Sequence, residues 1–257
     1  MSETHTSRVQ AQFGPSAAAY VTSAGHAAGD DLEQLVAWGR ARRPCRVLDV
    51  ATGGGHTAVA FAAVAPRVVA YDLTEPMLRA ARDFARSRGA DVLFAAGNVE
   101  SLPFHDGAFD VVTCRIAAHH FANVGAAVRE IARAIRPGGT FLLQDILGHD
   151  DSACAAFILE VERRRDPSHV RSYRAVEWKA LLRGAGLTII DEGLVHKVRP
   201  WEEWTGRMRM TPAARAELDA FVHAAPDRCR QAFAFELTET AVVAFTDRQF
   251  LLRADKD

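Results

Sequence analysis

A doubly wound α/β fold, with a mostly parallel sheet and helices on both faces, is predicted by three observations. Apolar runs of strand length alternate with helix-forming stretches between residues 45 and 145. The first run ends in an acid and is followed by Ala51-Thr52-Gly53-Gly54-Gly55-His56, a glycine-rich turn that leads into a helix. The chain has 257 residues, 49% of them apolar, enough to bury the core of one large α/β domain.

Taken in order, residues 1–15 are expected to be mobile as far as Phe13, and a helical stretch begins at 16–20. Asp30-Asp31 opens an amphipathic helix through Leu32, Leu35 and Val36, with the acids suited to its N-terminus. Pro44 precedes the first strand, 45–50. After the turn and its helix, Pro66 marks a break and 67–72 forms the second strand. Thr74 is the expected N-cap of a helix that ends at Gly89. Residues 91–96 and 109–115 read as strands three and four, with a loop at 98–104 between them. A helix over 124–135 is stopped by Arg136-Pro137-Gly138-Gly139, and 140–145 is the fifth strand. Beyond Gly148 the texture changes to helices at 153–165 and 176–184, a strand at 187–198 and two helical pieces within 199–240. A closing strand follows at 241–253, interrupted near Asp247. The chain thus reads as a single domain: a helical lid over 1–43, a cofactor-binding core over 44–147, and substrate-side insertions with closing strands over 148–257.

The glycine turn carries the first functional signal. Glycines admit positive φ and close approach of a ligand, and the helix start behind them offers unpaired N–H groups and partial positive charge. Gly53, Gly55 and Ala58 satisfy the dinucleotide pattern G-x-G-x-x-G/A, with Asp72 about 20 residues further on. The glycines alone therefore fit a nicotinamide cofactor or S-adenosylmethionine. Asp49, just before the turn, crowds a pyrophosphate but suits a sulfonium and an ammonium.

Bulk properties narrow the classes. The net charge of -1 gives no global basic field for nucleic acid, and Arg163-Arg164-Arg165 reads as a solvated face or a set of surface salt bridges. The four cysteines are widely spaced without a Cys-x-x-Cys pair, so no metal is expected and the thiols read as reduced packing residues of a cytoplasmic protein. The polar N-terminus lacks the apolar region of a signal peptide, and no apolar stretch approaches the ~20 residues of a membrane span.

Four motifs in order carry a family resemblance. They are Leu48-Asp49-Val50-Ala51-Thr52-Gly53-Gly54-Gly55, Tyr71-Asp72-Leu73-Thr74-Glu75-Pro76-Met77-Leu78, Gly97-Asn98-Val99-Glu100-Ser101-Leu102-Pro103-Phe104 and Arg136-Pro137-Gly138-Gly139. Together they resemble the class I S-adenosylmethionine-dependent methyltransferases of the ubiquinone/menaquinone-biosynthesis-like group (methyltransferase type 11). Two departures stand out: Ala51 replaces the family's usual first glycine, and Asn98 stands where Asp is more frequent. The resemblance implies a Rossmann-like methyltransferase fold of seven strands with the last antiparallel, here with a C-terminal helical insertion. It also implies S-adenosylmethionine as cofactor and a small-molecule acceptor. Nothing in the motifs names that acceptor or an oligomeric state.

The expected site lies at the carboxyl ends of the strands. Asp49, Ala51, Thr52, Gly53 and Gly55 would meet the amino-acid part of the cofactor, and Asp72 its ribose hydroxyls. Leu73 and Met77 would sandwich the adenine, with Asn98, Val99 and Glu100 along its edge. Arg115 ends strand four, and Tyr20 is expected to touch the cofactor from the lid. His119, or else His120, is the expected general base, needed only if the acceptor carries a proton. His149, past strand five, is a further candidate and His169 a weaker one, and Trp201, Trp204 and Met208 suit either an acceptor pocket or a satellite core. A nicotinamide-dependent oxidoreductase and a non-catalytic cofactor-binding regulator stand as alternatives.

Overall fold

The computed structural model describes residues 5–17, 21 and 29–257. Its sheet begins with five strands in parallel: β1 (Arg46–Val50), β2 (Arg67–Asp72), β3 (Leu93–Ala96), β4 (Phe109–Arg115) and β5 (Ile135–Ile146). They lie in the order β3-β2-β1-β4-β5, so the strand order reverses beside β1. Period-two side-chain alternation loads both faces. Val47, Val111 and Leu142 point to one face, where Leu35 and Phe61 cover them from α2 (Asp30–Ala41) and α3 (His56–Ala62). Leu48, Val112 and Leu143 point to the other. That face is closed by Ile131 of α5 (Val124–Ala134) and by Trp178 and Leu182 of α7 (Ala175–Gly184). Each such large side chain, taken fully from water, contributes about 1.5–3 kcal/mol.

The sheet continues with a reversed strand. β8 (Val242–Lys256) runs antiparallel beside β5, and β6 (Leu187–Pro200) pairs antiparallel with β8 at the edge. A two-residue β7 (Glu236–Leu237) also pairs with β8, which makes eight strands among the described residues where seven were expected. β8 runs without interruption through Asp247, which keeps its register opposite Lys197. The fifth strand begins at Ile135, ahead of the Pro-Gly-Gly turn, and the preceding helix stops at Ala134.

The remaining helices are α1 (His5–Phe13), α4 (Glu75–Ser87), α6 (Ser152–Arg165), α8 (Trp201–Arg207), α9 (Pro212–His223) and α10 (Asp227–Ala232). Three helices thus occupy 199–240, where two were expected. α1 corrects the expectation that residues up to Phe13 lack order. Val9 and Phe13, one helical turn apart, pack with Met77 and Met208, and Gln10 donates to the carbonyl of Leu73 at 3.2 Å. No described helix is long and apolar enough to cross a membrane.

Candidate active site

A cavity of about 220 Å³ opens at the carboxyl ends of β1, β2 and β4, beside the reversal of strand order. Its first half is built by the glycine turn. Ala51, Gly53 and Gly55 take φ of 51°, 53° and 84°, bending the chain from β1 into α3. Ala51, Thr52, Gly53 and Gly54 line the cavity. Asp49 does not: its carboxylate is buried and accepts the hydroxyls of Thr52 at 2.6 Å and Thr113 at 2.7 Å. Burial pushes its carboxyl up to about 6 against those two hydrogen bonds. Gly55 is also absent from the wall. A Cβ there would lie 3.0 Å from the Cβ of Ala81, so its smallness serves the approach of α4.

Asp72 ends β2 and faces the cavity. One carboxylate oxygen accepts Gly53 N–H at 2.8 Å and the other accepts Thr74 N–H at 2.9 Å. Each oxygen keeps a further lone pair. Burial raises this carboxyl too, opposed by the backbone hydrogen bonds. Thr74 holds the N-cap position of α4, but its side chain caps nothing. Leu73, Met77 and Val99 supply apolar wall beside Asp72. Asn98 and Glu100 line the same end; the Asn98 side-chain carbonyl accepts Glu100 N–H at 2.9 Å, and Glu100 in turn accepts Asn123 N–H at 2.8 Å. Tyr20 lies outside the described residues.

The second half follows β4. Ile116 sits at φ 52°, a left-handed conformation rare for a β-branched residue, and a 3₁₀ turn, Ala118–His120, comes next. That turn delivers His119 to Asp145 at the end of β5. The His119 backbone N–H donates to one Asp145 oxygen at 2.8 Å, and its ring Nδ1 lies 2.5 Å from the other. Burial disfavours the imidazolium, but the Asp145 charge and hydrogen bond outweigh it, and the His119 pKa is raised above 6.5. His120 behaves oppositely. Burial and the neighbouring His119 lower it to about 4. Its Nδ1 lies 3.2 Å from the Ser168 hydroxyl, and Phe13 meets its ring edge-on. His120 does not cap the following helix: Asn123 does so, accepting Ala126 N–H at 2.9 Å.

The sequence undervalued the segment after α6. His169 stacks on His119 with ring centroids 4.9 Å apart, and burial together with the other two histidines holds it neutral. Glu162, buried near His169 and Arg165, has its carboxyl raised by burial to about 7. Arg165, expected on a solvated face, is buried; it donates to the Trp204 carbonyl at 2.9 Å and stacks over the Trp204 ring. Trp204 and Met208 line the cavity, whereas Trp201 belongs to the satellite core with Cys154 and Phe245. His149 stands apart, against Phe233. The missed signal was the turn Asp166-Pro167-Ser168-His169, in which Asp166 accepts both the N–H and the hydroxyl of Ser168.

Arg115 joins the halves. It lines the cavity, but its guanidinium donates to Asp31 of α2 at 3.0 Å and to Gln144 at 2.9 Å. Lys197 and Gln144 also donate to Asp31, each at 2.7 Å. Burial opposes ionisation of Asp31, but these donors prevail and hold its carboxyl well below the usual carboxylate range.

The reversed β8 and the cleft at the strand ends define a Rossmann-like protein of the methyltransferase type. Residues 48–143 match the model of a methyltransferase domain family. The uncharacterized methyltransferase YcgJ of Bacillus subtilis strain 168 is 36% identical over 233 residues, which cover 90% of this chain and 92% of that protein. A solved structure from Bacillus halodurans C-125, described as a candidate methyltransferase, superposes with a TM-score of 0.84 at 38% identity, covering 89% of this chain and 99% of that one. The ubiquinone biosynthesis O-methyltransferase of Xanthomonas euvesicatoria is 30% identical over 187 residues, 70% of this chain and 75% of that protein. The chain belongs to the class I S-adenosylmethionine-dependent methyltransferases. Neither the sheet nor these relatives support the nicotinamide alternative.

Proposed function

We propose that the chain transfers the methyl group of S-adenosylmethionine to a hydroxyl of a small, largely apolar acceptor, with His119 taking the proton. One observation carries this reading: Gly53, Asp72 and His119 line a single cavity, with His119 held from behind by the buried Asp145.

The donor set fits the cofactor. Asp72 has acceptor capacity for two ribose hydroxyls, and the buried carboxylates Asp49 and Asp72 beside the turn favour a cationic ligand over a pyrophosphate. Leu73, Met77 and Val99 offer the adenine an apolar slot. When bound, S-adenosylmethionine supplies an electrophilic methyl group on a sulfonium. The chain's own residues then do three things. Backbone at Ala51–Gly54 positions the donor. Phe13, Trp204 and Met208 exclude water from the acceptor. His119 Nε2 accepts the hydroxyl proton while Asp145 holds the ring by Nδ1 and stabilises the imidazolium that forms. The Xanthomonas relative is named as an O-methyltransferase, which supports a hydroxyl acceptor.

Calorimetry with S-adenosylhomocysteine, beside NAD as a contrast, tests the cofactor. Transfer from methyl-labelled donor across a panel of small hydroxylated aromatic and aliphatic compounds tests the reaction. Binding of NAD instead of S-adenosylhomocysteine would overturn the cofactor. S-adenosylhomocysteine binding with transfer only to amines would overturn the hydroxyl acceptor, and binding with no transfer to any compound would favour the regulatory alternative.

A further inference from the structure

The edge strand β6 carries a feature that methyl transfer does not use. Among the described residues no strand pairs with its outer edge. It also holds three of the six most exposed large apolar side chains: Ile190 at 50%, Leu194 at 54% and Val198 at 62%. Long apolar edges are templates for pairing with another chain.

We propose that β6 is the interface for a second copy of this chain, pairing antiparallel with its own counterpart about a two-fold axis at Leu194. A two-fold axis normal to the sheet keeps each face with the same face of the partner, so paired residues have the same parity in sequence. Among such registers, the one centred on Leu194 matches chemistry throughout. Leu194 meets Leu194, Glu192 meets His196, and Asp191 meets Lys197. Val198 meets Ile190, which sits at the register shift of β6 against β8, beyond which pairing resumes at Ile189. Moving the centre to Gly193 puts Glu192 opposite Leu194 and Ile190 opposite His196. Moving it to Val195 puts Leu194 opposite His196 and Glu192 opposite Val198. The segment 190–198 is therefore a charge palindrome, with acids before its centre and bases after it, and apolar residues at its middle and ends.

The surroundings agree with an isologous partner. Glu192, Leu194, His196 and Val198 alternate on one face of β6 and are all exposed. Glu192 is already oriented by Lys179 at 2.8 Å, and Lys197 by Asp31 at 2.7 Å. Cross-strand apolar and opposite-charge pairs of this kind are the units that stabilise antiparallel sheets. The interface also continues toward the cavity, since Arg199 follows Val198 and pairs with Asp247 at 2.8 Å.

The test is the mass of the full chain in solution, by light scattering and sedimentation over a dilution series. A dimer is expected. Leu194→Lys places like charges across the axis and is expected to raise the dimer dissociation constant by about tenfold or more. Glu192→Lys alone should weaken the dimer, and Glu192→Lys with His196→Glu should restore it. All three changes are at exposed positions, and circular dichroism and the melting curve of each monomer check that it folds. Amide exchange along β6 should slow as protein concentration rises. A wild-type monomer at every concentration overturns the proposal. So does a dimer indifferent to Leu194→Lys, a double variant that stays weak, or β6 protection that does not depend on concentration, which would mean the chain covers its own edge.

Discussion

The two ends of the cavity are built by different means. At the glycine turn, most hydrogen bonds join residues close in sequence: Thr52 to Asp49, Glu100 to Asn98, and Gly53 to Asp72 only 19 positions away, while Thr113 to Asp49 and Asn123 to Glu100 reach further. At the histidine end, His119 meets Asp145 across 26 positions, Arg165 meets Trp204 across 39, and Ser168 meets His120 across 48. The first end depends on backbone conformation and a few obligatory residue types, so it leaves a motif. The second is an assembly of side chains from separate elements, brought together by the sheet.

The largest expected effect breaks the second end without touching the first. His119→Ala should lower kcat on a hydroxyl acceptor by about 10²–10⁴-fold while S-adenosylhomocysteine affinity holds. A full-rate variant would remove His119 as base. The pH profile sharpens this. Only neutral His119 accepts a proton, so activity should rise with pH through a value displaced above 6.5. Asp145→Asn should shift that limb to lower pH, which a merely structural role would not do. The linkage has the opposite sign for stability. The His119–Asp145 pair contributes fully below about pH 6.5, the unfolded value, and its contribution is lost as pH rises through the raised folded value.

The same contrast explains what could be read in the sequence. Five parallel strands and the reversed closing strand were legible because each has its own apolar run and its own turn residues. Asp72 and Asn98 were legible because they close local motifs. Glu162 was not, and His169 stood only as a weaker candidate. The turn Asp166-Pro167-Ser168-His169 marks a break but not a site, and the relation to His119 is made in space, where His169 stacks on its ring and Glu162 lies 3.9 Å from His169. Arg165 was misread for the same reason: three consecutive arginines read as surface, but on a helix they point in different directions. Arg163 reaches the carbonyl of Val170, Arg164 pairs with Glu160, and Arg165 turns inward to Trp204.

The seam between the two ends comes next in size. Asp31 is buried and serves Arg115, Gln144 and Lys197 at once. Asp31→Ala removes the carboxylate that Lys197 and Arg115 share, and breaking a buried ion pair from one side costs about 3–5 kcal/mol. Urea denaturation should show the loss. Its contribution in the wild type is present above the ordinary carboxylate pKa and is lost as pH falls through the depressed folded value. A loss under about 1 kcal/mol would mean that the charges reach water in the variant.

Asp72→Ala probes the first end alone. In the proposed reading it removes the acceptors of two ribose hydroxyls, and a hydrogen bond to a charged group is worth about 1.5–3 kcal/mol. Calorimetric affinity for S-adenosylhomocysteine should fall by roughly ten- to a hundredfold or more. Because Asp72 also receives Gly53 N–H and Thr74 N–H, stability should fall with it. Asp72→Asn separates the effects, since its carbonyl still accepts one N–H. Unchanged affinity in both variants would place the ribose elsewhere.

The smallest expected effect concerns the departure from the family pattern in the glycine turn. Ala51 holds φ 51°, where a Cβ costs about 1–2 kcal/mol relative to glycine. Glycine removes that cost but loosens the unfolded chain by about 0.4–1 kcal/mol. Ala51→Gly should therefore stabilise the fold by roughly 0.5–1 kcal/mol, a rise in Tm of about 1–4 °C for a chain of this size. The backbone keeps its course, so S-adenosylhomocysteine affinity and the His119 pH limb should both stay where they are. Ala51→Val asks the same question in reverse, because a β-branched side chain fits this conformation worse than alanine and should destabilise. If glycine instead lowers Tm, the methyl group of Ala51 contributes more through its packing against the core around Leu48 and Val50 than its backbone conformation costs.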